Sequence, residues 1–488
     1  MTLALRLHRD DSVATALRDL ARGETVLGVT VSDSLPRGHK MALRAIVAGE
    51  AVMKYGAPIG RATRAIAAGE HVHSHNLSTG LTGELEYAFA GVAPASVATA
   101  SERGFMGYVR SDERVGTRNE IWVVPTVGCV ARTGERIARA AAPLVSGYVD
   151  GVHALQHPFG CSQLGDDLAA TRRILASLAC HPNAGGVLLL GLGCEENQLD
   201  ALLAEIPLER HATIRTVGAQ LADDEVEAGV AAVVALAEAA AASRTRVGLD
   251  KLVLGLKCGG SDGLSGLTAN PLVGRVADLV VGAGGAAILT EIPEMFGAEG
   301  LLLERAADEA VFDQLTALLN GFKRYYLDHG LPVSDNPSPG NVAGGITTLE
   351  EKSLGAVQKG GHAPVIDVLD YGGRVRRPGL TVLEAPGNDA VSATALTAAG
   401  ATCILFTTGR GTPLGFPAPT VKIASNTALT VRKPGWIDFD AGAVLTEGLD
   451  TTTDALIAKM TAVASGEPTA SERMGEREIA LWKRGVTL

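Results

Sequence analysis

The chain has 488 residues and a net charge of -11, and its 46% hydrophobic and 20% charged residues are ordinary for a globular protein. This acidic balance, without any Lys/Arg-rich block, argues against a nucleic-acid partner, and every apolar stretch is shorter than the roughly 18 residues of a membrane span. The first residues lack the pattern of a secretory signal, so we expect a cytoplasmic protein whose six cysteines are reduced.

Residues 1–80 consist of short segments broken by glycine, which predicts a small, mostly β domain with hairpin turns and one short helix near Ser12–Arg22. Near the end of this domain, three histidines alternate at His71, His73 and His75. In a strand they share one face, because side chains repeat with period two. Imidazoles at this spacing suit a transition metal, and the alternative is an exposed polar edge strand.

Residues 81–103 are small and polar and predict a linker. From residue 104 onward, apolar runs alternate with helical stretches, which predicts two Rossmann-like α/β domains with parallel sheets, over residues 104–245 and 246–488. The predicted strands are Ile121–Val127, Val152–Gln156, Val187–Leu192, Leu252–Leu256, Ala286–Thr290, Val365–Leu369, Thr381–Glu384 and Cys403–Thr407. The predicted helices are Thr133–Pro143, Asp166–Ala179, Asp223–Ala242, Ala306–Tyr326 and Ala390–Ala399.

Cysteines and polar side chains follow these predicted strands at the point where each strand ends. Cys129, Cys161, Cys194 and Cys258 each come shortly after a different strand. One such cysteine would be an ordinary small buried residue, but four favour a functional site. In open parallel sheets, ligands bind outside the carboxyl ends of the strands. The sequence therefore predicts a site at this edge.

Several long motifs resemble the altronate/galactarate dehydratase family. The segments that carry this resemblance are Lys257–Pro271, Gly340–Gly355, Gly387–Asp389 and Phe406–Pro413, and residues 1–80 resemble the small N-terminal SAF-type β domain of that family. The His-x-His-x-His-Asn ending of the small domain is more similar to altronate dehydratases than to galactarate dehydratases. It also resembles the small subunit of sulfolactate sulfo-lyase, but that enzyme is split into two chains, and fusion of both parts favours a sugar-acid dehydratase.

The resemblance implies that water is removed from an aldonate to give a 2-keto-3-deoxy acid. A base must take the C2 proton, an acid must protonate the leaving C3 hydroxyl, and a cation must stabilise the enolate. We predict catalytic roles for Lys257, Asp262, Glu351 and Lys352, although the last two could equally be a solvated pair. We predict substrate binding by loop-end side chains, namely His39, Ser261, Asn270, Asn341, Asn388, Thr408, Arg410 and Lys422.

A divalent metal, iron or manganese, is expected as the cofactor, with ligands among His71, His73 and His75 once the small domain docks on the catalytic domains. The alternative cofactor is an iron–sulfur cluster on Cys161, Cys194 and Cys258 with one open iron. The alternative functions are a sulfolactate sulfo-lyase-like C–S lyase, an iron–sulfur dehydratase of another hydroxy acid, and a regulatory protein that binds a sugar acid without turnover. We expect a homo-oligomer whose partner is a small-molecule sugar acid.

Overall fold

The computed structural model describes residues 3–91 and 103–488. Residues 81–91 of the predicted linker contain no helix or strand, and residues 92–102 of it lie outside the described residues. Within the described ranges, no helix combines the length and the apolar character that crossing a membrane requires.

The small N-terminal domain consists of nine short strands. They are β1 (Ala4–Leu5), β2 (Val13–Ala16), β3 (Thr25–Val26), β4 (Val29–Thr30), β5 (Lys40–Ala42), β6 (Ala51–Lys54), β7 (Ala57–Ala62), β8 (His71–Val72) and β9 (Leu77–Ser78). They pair as the sheets β1-β2-β5-β8, β6-β7-β9 and β3-β4. The predicted helix near Ser12–Arg22 is wrong, because Val13–Ala16 is fully buried and pairs on both sides within a sheet. Tertiary pairing therefore overrides the local helical pattern.

The middle domain alternates strands and helices. Its elements are β10 (Gly104–Val109), β11 (Val115–Gly116), β12 (Glu120–Pro125), α1 (Ala131–Ala141), β13 (Gly151–Ala154), α2 (Gly165–Ala179), β14 (Ala184–Gly191), α3 (Leu199–Ala204), β15 (Ile214–Gly218), α4 (Glu225–Ala239) and β16 (Thr245–Gly248). Its main sheet is parallel, in the order β13-β12-β14-β15. All six residues of β12 are buried, as expected for a central strand covered by helices on both faces.

The C-terminal domain is built on a second, larger sheet. Its elements are β17 (Val253–Cys258), α5 (Ala269–Gly282), β18 (Ala286–Leu289), α6 (Gly300–Leu303), α7 (Glu309–Asp328), α8 (Pro339–Ala343), α9 (Leu349–Ala356), β19 (Val365–Leu369), β20 (Gly379–Leu383), α10 (Asp389–Ala398), β21 (Cys403–Thr408), β22 (Thr420–Ala424), α11 (Thr427–Arg432), β23 (Phe439–Asp440), α12 (Val444–Glu447), α13 (Leu449–Ala464) and α14 (Ala470–Met474).

The seven strands of this domain are all parallel, in the order β19-β20-β18-β17-β21-β22-β23. The chain moves from β17 to β18 on one side and later returns to β21 on the other side. The strand order therefore reverses between β17 and β21, and the crevice outside their carboxyl ends is where such sheets bind ligands. The predicted fold class, a small β domain followed by parallel-sheet α/β domains, is confirmed.

The small domain packs directly on the C-terminal domain, backbone against backbone. A Cβ atom on Gly263 would lie 1.9 Å from the carbonyl oxygen of Gly38, and one on Gly345 would lie 2.4 Å from the same oxygen. Such distances are impossible for a real side chain, so this docking requires glycine at both positions. The contact places the loop after β17 next to the loop before β5.

Candidate active site

A cleft of about 1230 Å³ opens at the carboxyl end of β17. The C-terminal domain lines it with the Gly259–Gly260 loop, with Glu294 after β18 and with the Asn388–Asp389 start of α10. The small domain lines it with His39 and His73. The cleft therefore lies at the topological switch point and is completed by the docked domain.

Lys257, the penultimate residue of β17, is completely buried beside this cleft. Its Nζ forms ion pairs with Glu291 and, at 2.9 Å, with Asp389, and it donates a hydrogen bond to the carbonyl of Cys258 at 2.6 Å. Burial alone would lower the pKa of Lys257, but Glu291 and Asp389 raise this pKa above its ordinary value. The side chain is therefore a fixed ammonium group.

Cys258 lies among charged groups at the tip of the same strand. Its Sγ lies 2.7 Å from Nζ of Lys359, 3.0 Å from Oε2 of Glu294 and 3.4 Å from Oε2 of Glu291. Burial, together with the two carboxylates, raises the pKa of this thiol far above its usual range. In this arrangement Cys258 is a neutral thiol.

Glu294 and Lys352 form a buried ion pair that lines the cleft, with 2.8 Å between Oε1 and Nζ. Nζ of Lys352 also donates to Oδ1 of Asn336 at 3.0 Å. Burial opposes ionisation of Glu294, but Lys352 and Lys359 lower its pKa to about 2. Lys352 is the one ammonium or guanidinium group among the described residues that line the cleft.

One group of side chains can hold a metal ion. Within the described ranges, only Cys258, Glu291 and Glu294 offer three ligand atoms within 4.8 Å of one another. A thiolate with two carboxylates suits a divalent transition metal. The ammonium group of Lys359 lies against the same atoms, since its Nζ is 2.7 Å from the sulfur and 3.1 Å from Oε2 of Glu291. An ion in this group would therefore have to take the place of the Lys359 ammonium.

Glu351 connects the two docked domains and does not line the cleft. Its carboxylate forms ion pairs of 2.8 Å with both Lys40 and Lys54 of the small domain, and all three side chains are buried. Burial opposes its ionisation, but the two ammonium groups lower its pKa to about 2. The solvated Glu351–Lys352 pair that the sequence left open is not present, because each residue has a different buried partner.

Histidines of the small domain form a cluster at the edge of the cleft. Nδ1 of His39 lies 3.0 Å from Nε2 of His71, and Nε2 of His73 lies 3.0 Å from the carbonyl oxygen of Val342. Burial lowers the pKa of all three imidazoles, that of His71 to about 3. They are therefore neutral at neutral pH. His75 is exposed and contacts the His71 ring.

Two predicted site residues line the cleft in addition to His39, His73 and Lys352. Asn341 donates from Nδ2 to the carbonyl of Ser261 at 2.9 Å, and Asn388 caps α10. Asp262 instead holds its own loop, since its carboxylate accepts from Ser265 at 2.9 Å and from Ser425 at 2.8 Å.

The other predicted substrate-binding residues do not line the cleft and bond to protein atoms. Their partners are the carbonyl of Gly259 for Ser261, the carbonyl of Gly355 for Asn270, the amide of Gly411 for Thr408, the carbonyl of Gly340 for Arg410 and the carbonyl of Pro413 for Lys422. Burial lowers the pKa of Lys422 to about 8.

Cys161 and Cys194 are exposed in the middle domain, whereas Cys258 is buried in the C-terminal domain. The assignment of individual site residues remains a prediction.

Glu291, Glu294 and Lys359 were not among the predicted site residues. The two glutamates had a sequence signal, because they follow a strand that adjoins β17. No sequence signal pointed to Lys359, because it lies in a short turn after α9 and contacts Cys258 across 101 residues of sequence.

Comparison with known proteins covers the whole chain. Residues 2–80 match the altronate/galactarate dehydratase SAF domain, residues 107–241 the D-galactarate dehydratase/altronate hydrolase second domain, and residues 249–487 the D-galactarate/altronate dehydratase C-terminal domain. The altronate dehydratases of Bacillus subtilis and Escherichia coli are each 46% identical to it, over 99% of both chains. The galactarate dehydratase of Escherichia coli is 32% identical over 91% of this chain and 88% of its own.

Proposed function

The chain belongs to the altronate/galactarate dehydratase family and is a hydro-lyase that dehydrates a sugar acid, and we propose that its substrate is altronate or a close stereoisomer. The observation that carries the assignment of the site is the cleft at the end of β17, where His39 of the docked small domain lines the same space as the Glu294–Lys352 pair. In this proposal, the small domain supplies His39 as a neutral base, and the C-terminal domain supplies Lys352 as a cation.

His39 is proposed to take the proton from C2. Its Nδ1 lies 3.0 Å from Nε2 of His71, and the imidazole lines the cleft in which the substrate would lie. The lowered pKa of His39 keeps the imidazole neutral at neutral pH, which is the form that a base requires. When the C3 hydroxyl leaves, the protonated His39 returns the same proton to it, so that water departs and no net proton is consumed.

Lys352 is proposed to stabilise the negative charge that develops on the substrate carboxylate and the enolate. Its ammonium group is held by Glu294 and Asn336, so it does not need to reorient when that charge appears. The amides of Asn341 and Asn388 line the same cleft and can bond the substrate hydroxyls. Tautomerisation of the resulting enol then gives the 2-keto-3-deoxy acid.

The metal, where one is used, is proposed to be Fe(II) or Mn(II) on Cys258, Glu291 and Glu294. A bound divalent ion would supply Lewis-acid stabilisation of the enolate oxygen. We also expect cytoplasmic localisation and assembly into a homo-oligomer, as the sequence analysis predicts.

A substrate panel tests this function. Aldonates including altronate, the aldarate galactarate, and sulfolactate are each incubated with the protein and Fe(II), Mn(II), Mg(II) or no metal, and 2-keto-3-deoxy acid and sulfite are measured. Altronate or a close stereoisomer should give the keto acid at the highest kcat/KM. If every sugar acid is inert while sulfolactate releases sulfite, the proposed substrate class is wrong.

A further inference from the structure

The middle domain carries three exposed cysteines that the dehydration mechanism does not use. Cys129 follows β12, Cys161 follows β13 and Cys194 follows β14, and all three are free thiols. These strands are neighbours in one parallel sheet, in the order β13-β12-β14. Their carboxyl ends therefore meet at one edge, and each brings a thiol to it.

The three loops that carry these cysteines are bonded to one another. The amide of Gly128 donates to the carbonyl of Phe159 at 2.8 Å, and the amide of Asn197 donates to the carbonyl of Gly160 at 3.1 Å. The hydroxyl of Thr126 donates to the carboxylate of Glu195 at 2.6 Å. Each of these bonds lies within three residues of a cysteine, so the loops form one layer that fixes the spacing of the thiols.

Glycine before two of the cysteines allows the loops to approach this closely. A Cβ atom on Gly160 would lie 2.1 Å from the carbonyl oxygen of Thr126, and one on Gly128 would lie 2.9 Å from Cα of Pro158. A larger residue at either position would push the loops, and with them Cys129 and Cys161, apart. The close approach thus holds the loops of Cys129 and Cys161 against each other, at a place that does not line the cleft.

The spacing of the three thiols excludes a single ion held by all of them. Zinc–sulfur bonds of about 2.3 Å keep the sulfurs of one site within roughly 4.6 Å of one another. The three thiols do not meet that condition, because the only such group in the described ranges is Cys258–Glu291–Glu294. A cluster of several irons separates its cysteine sulfurs more widely than one ion does. In addition, Nε2 of Gln220 donates to the sulfur of Cys194 at 3.6 Å, and hydrogen bonds to sulfur tune such clusters.

We propose that Cys129, Cys161 and Cys194 bind a four-iron iron–sulfur cluster through three thiolates, leaving one iron without a cysteine ligand. Each thiol loses its proton on binding, and the open iron retains a position for an oxygen ligand. The proposal rests on the geometry of the middle domain and is independent of the substrate. In this proposal the third cluster ligand beside Cys161 and Cys194 is Cys129, whereas the sequence analysis gave Cys258 as the third ligand.

Anaerobic reconstitution of the full chain with equal amounts of ferrous and ferric iron and with sulfide tests this site. Iron, acid-labile sulfide, visible absorbance and the electron paramagnetic resonance signal after reduction are measured on the wild type and on Cys129→Ser, Cys161→Ser and Cys194→Ser. Cys258→Ser is the matched control, since it removes a thiol from the other sheet. Circular dichroism confirms that each variant is folded.

The wild type and Cys258→Ser should each bind about four sulfides per chain and show the broad visible absorbance of a cluster. Each of the three other variants should lose most of the sulfide and the signal. A folded wild type that binds no sulfide would overturn the proposal. So would a cluster that survives in the three variants and disappears in Cys258→Ser, which would place it at the buried site.

Discussion

At the scale of single residues, the Glu294–Lys352 pair has two roles that can be separated. Both side chains are only 6% exposed, so removing one partner leaves an uncompensated buried charge. The same pair lines the cleft, where Lys352 is proposed to meet the negative charge of the enolate. Loss of stability and loss of catalysis therefore have different causes in this pair, and different substitutions should distinguish them.

Lys352→Met should lower kcat/KM at least about 100-fold and destabilise the fold by about 3–5 kcal/mol. The double variant Glu294→Gln/Lys352→Met should recover most of the stability, because no buried charge is left unpaired, while activity stays low. Urea unfolding and steady-state kinetics measure the two effects. Activity that returns together with stability would mean that Lys352 acts only on the fold.

His39→Asn should lower kcat by about 100-fold or more, because loss of a general base typically costs 10²–10⁴-fold. The matched control is His329→Asn, a histidine that follows α7 and is exposed. The control should stay within about twofold of the wild type. The pH profile of kcat/KM is the second readout, since a neutral imidazole with a lowered pKa predicts that activity persists below pH 6.5. Wild-type turnover in His39→Asn would contradict its role as the base.

At the scale of elements, the docking of the small domain depends on two kinds of contact. One is the close backbone approach of Gly38 to Gly263 and Gly345, and the other is the buried ion network of Glu351 with Lys40 and Lys54. Gly38 and Lys40, which take part in these two kinds of contact, lie on either side of His39 in the chain. Because His39 lies between them, the docking contacts also fix the position of the proposed base.

Gly263→Ala should weaken docking and lower activity together, because the new Cβ would overlap the carbonyl oxygen of Gly38 at 1.9 Å. Gly321→Ala in α7 is the matched control, since a Cβ there meets nothing within 4 Å. The control should be stabilised by about 0.5–1 kcal/mol, as expected for alanine within a helix. Limited proteolysis between the domains and thermal unfolding report the two outcomes. If Gly263→Ala and Gly321→Ala gave the same proteolysis pattern and the same thermal unfolding, the close backbone approach would not be needed for docking.

Much of the element pattern was predictable, because buried parallel strands are apolar runs that end abruptly at glycine or polar residues. Lys257 was found in this way, since the run of β17 ends there. The partners within the site were not predictable. Lys40 meets Glu351 across 311 residues of sequence, and no local pattern encodes such a contact. The helix predicted over Ser12–Arg22 failed for a related reason, because its strand is defined by neighbours distant in sequence.

At the scale of the whole molecule, the histidine cluster makes stability depend on pH. The pKa of His71 is lowered to about 3 in the folded chain, while in the unfolded chain it returns to about 6.5. Below that value the unfolded state binds more protons, so stability falls as the pH drops. The carboxylates of Glu294 and Glu351 affect stability only at lower pH. Their pKa values are lowered to about 2 in the folded chain, so the stability that they contribute is lost as the pH falls below about 4.5.

The free energy of unfolding should therefore decrease between pH 7 and pH 5, and His71→Asn should reduce that decrease. The dependence should not vanish, because burial also lowers the pKa of His157 and His181. Urea midpoints at pH 7, 6 and 5 measure the effect, with His329→Asn as the control. If the stability of His71→Asn depends on pH as steeply as that of the wild type, the pKa of His71 is not lowered in the folded protein.

The most direct test of the whole account is an experimental structure of His39→Asn with altronate bound. The account predicts that the sugar acid lies in the cleft between the two docked domains. Its carboxylate should lie within hydrogen-bond distance of Lys352, and its C2 should face the substituted side chain at position 39. Altronate bound away from this cleft, for instance at the edge that carries Cys129, Cys161 and Cys194, would contradict the proposed active site.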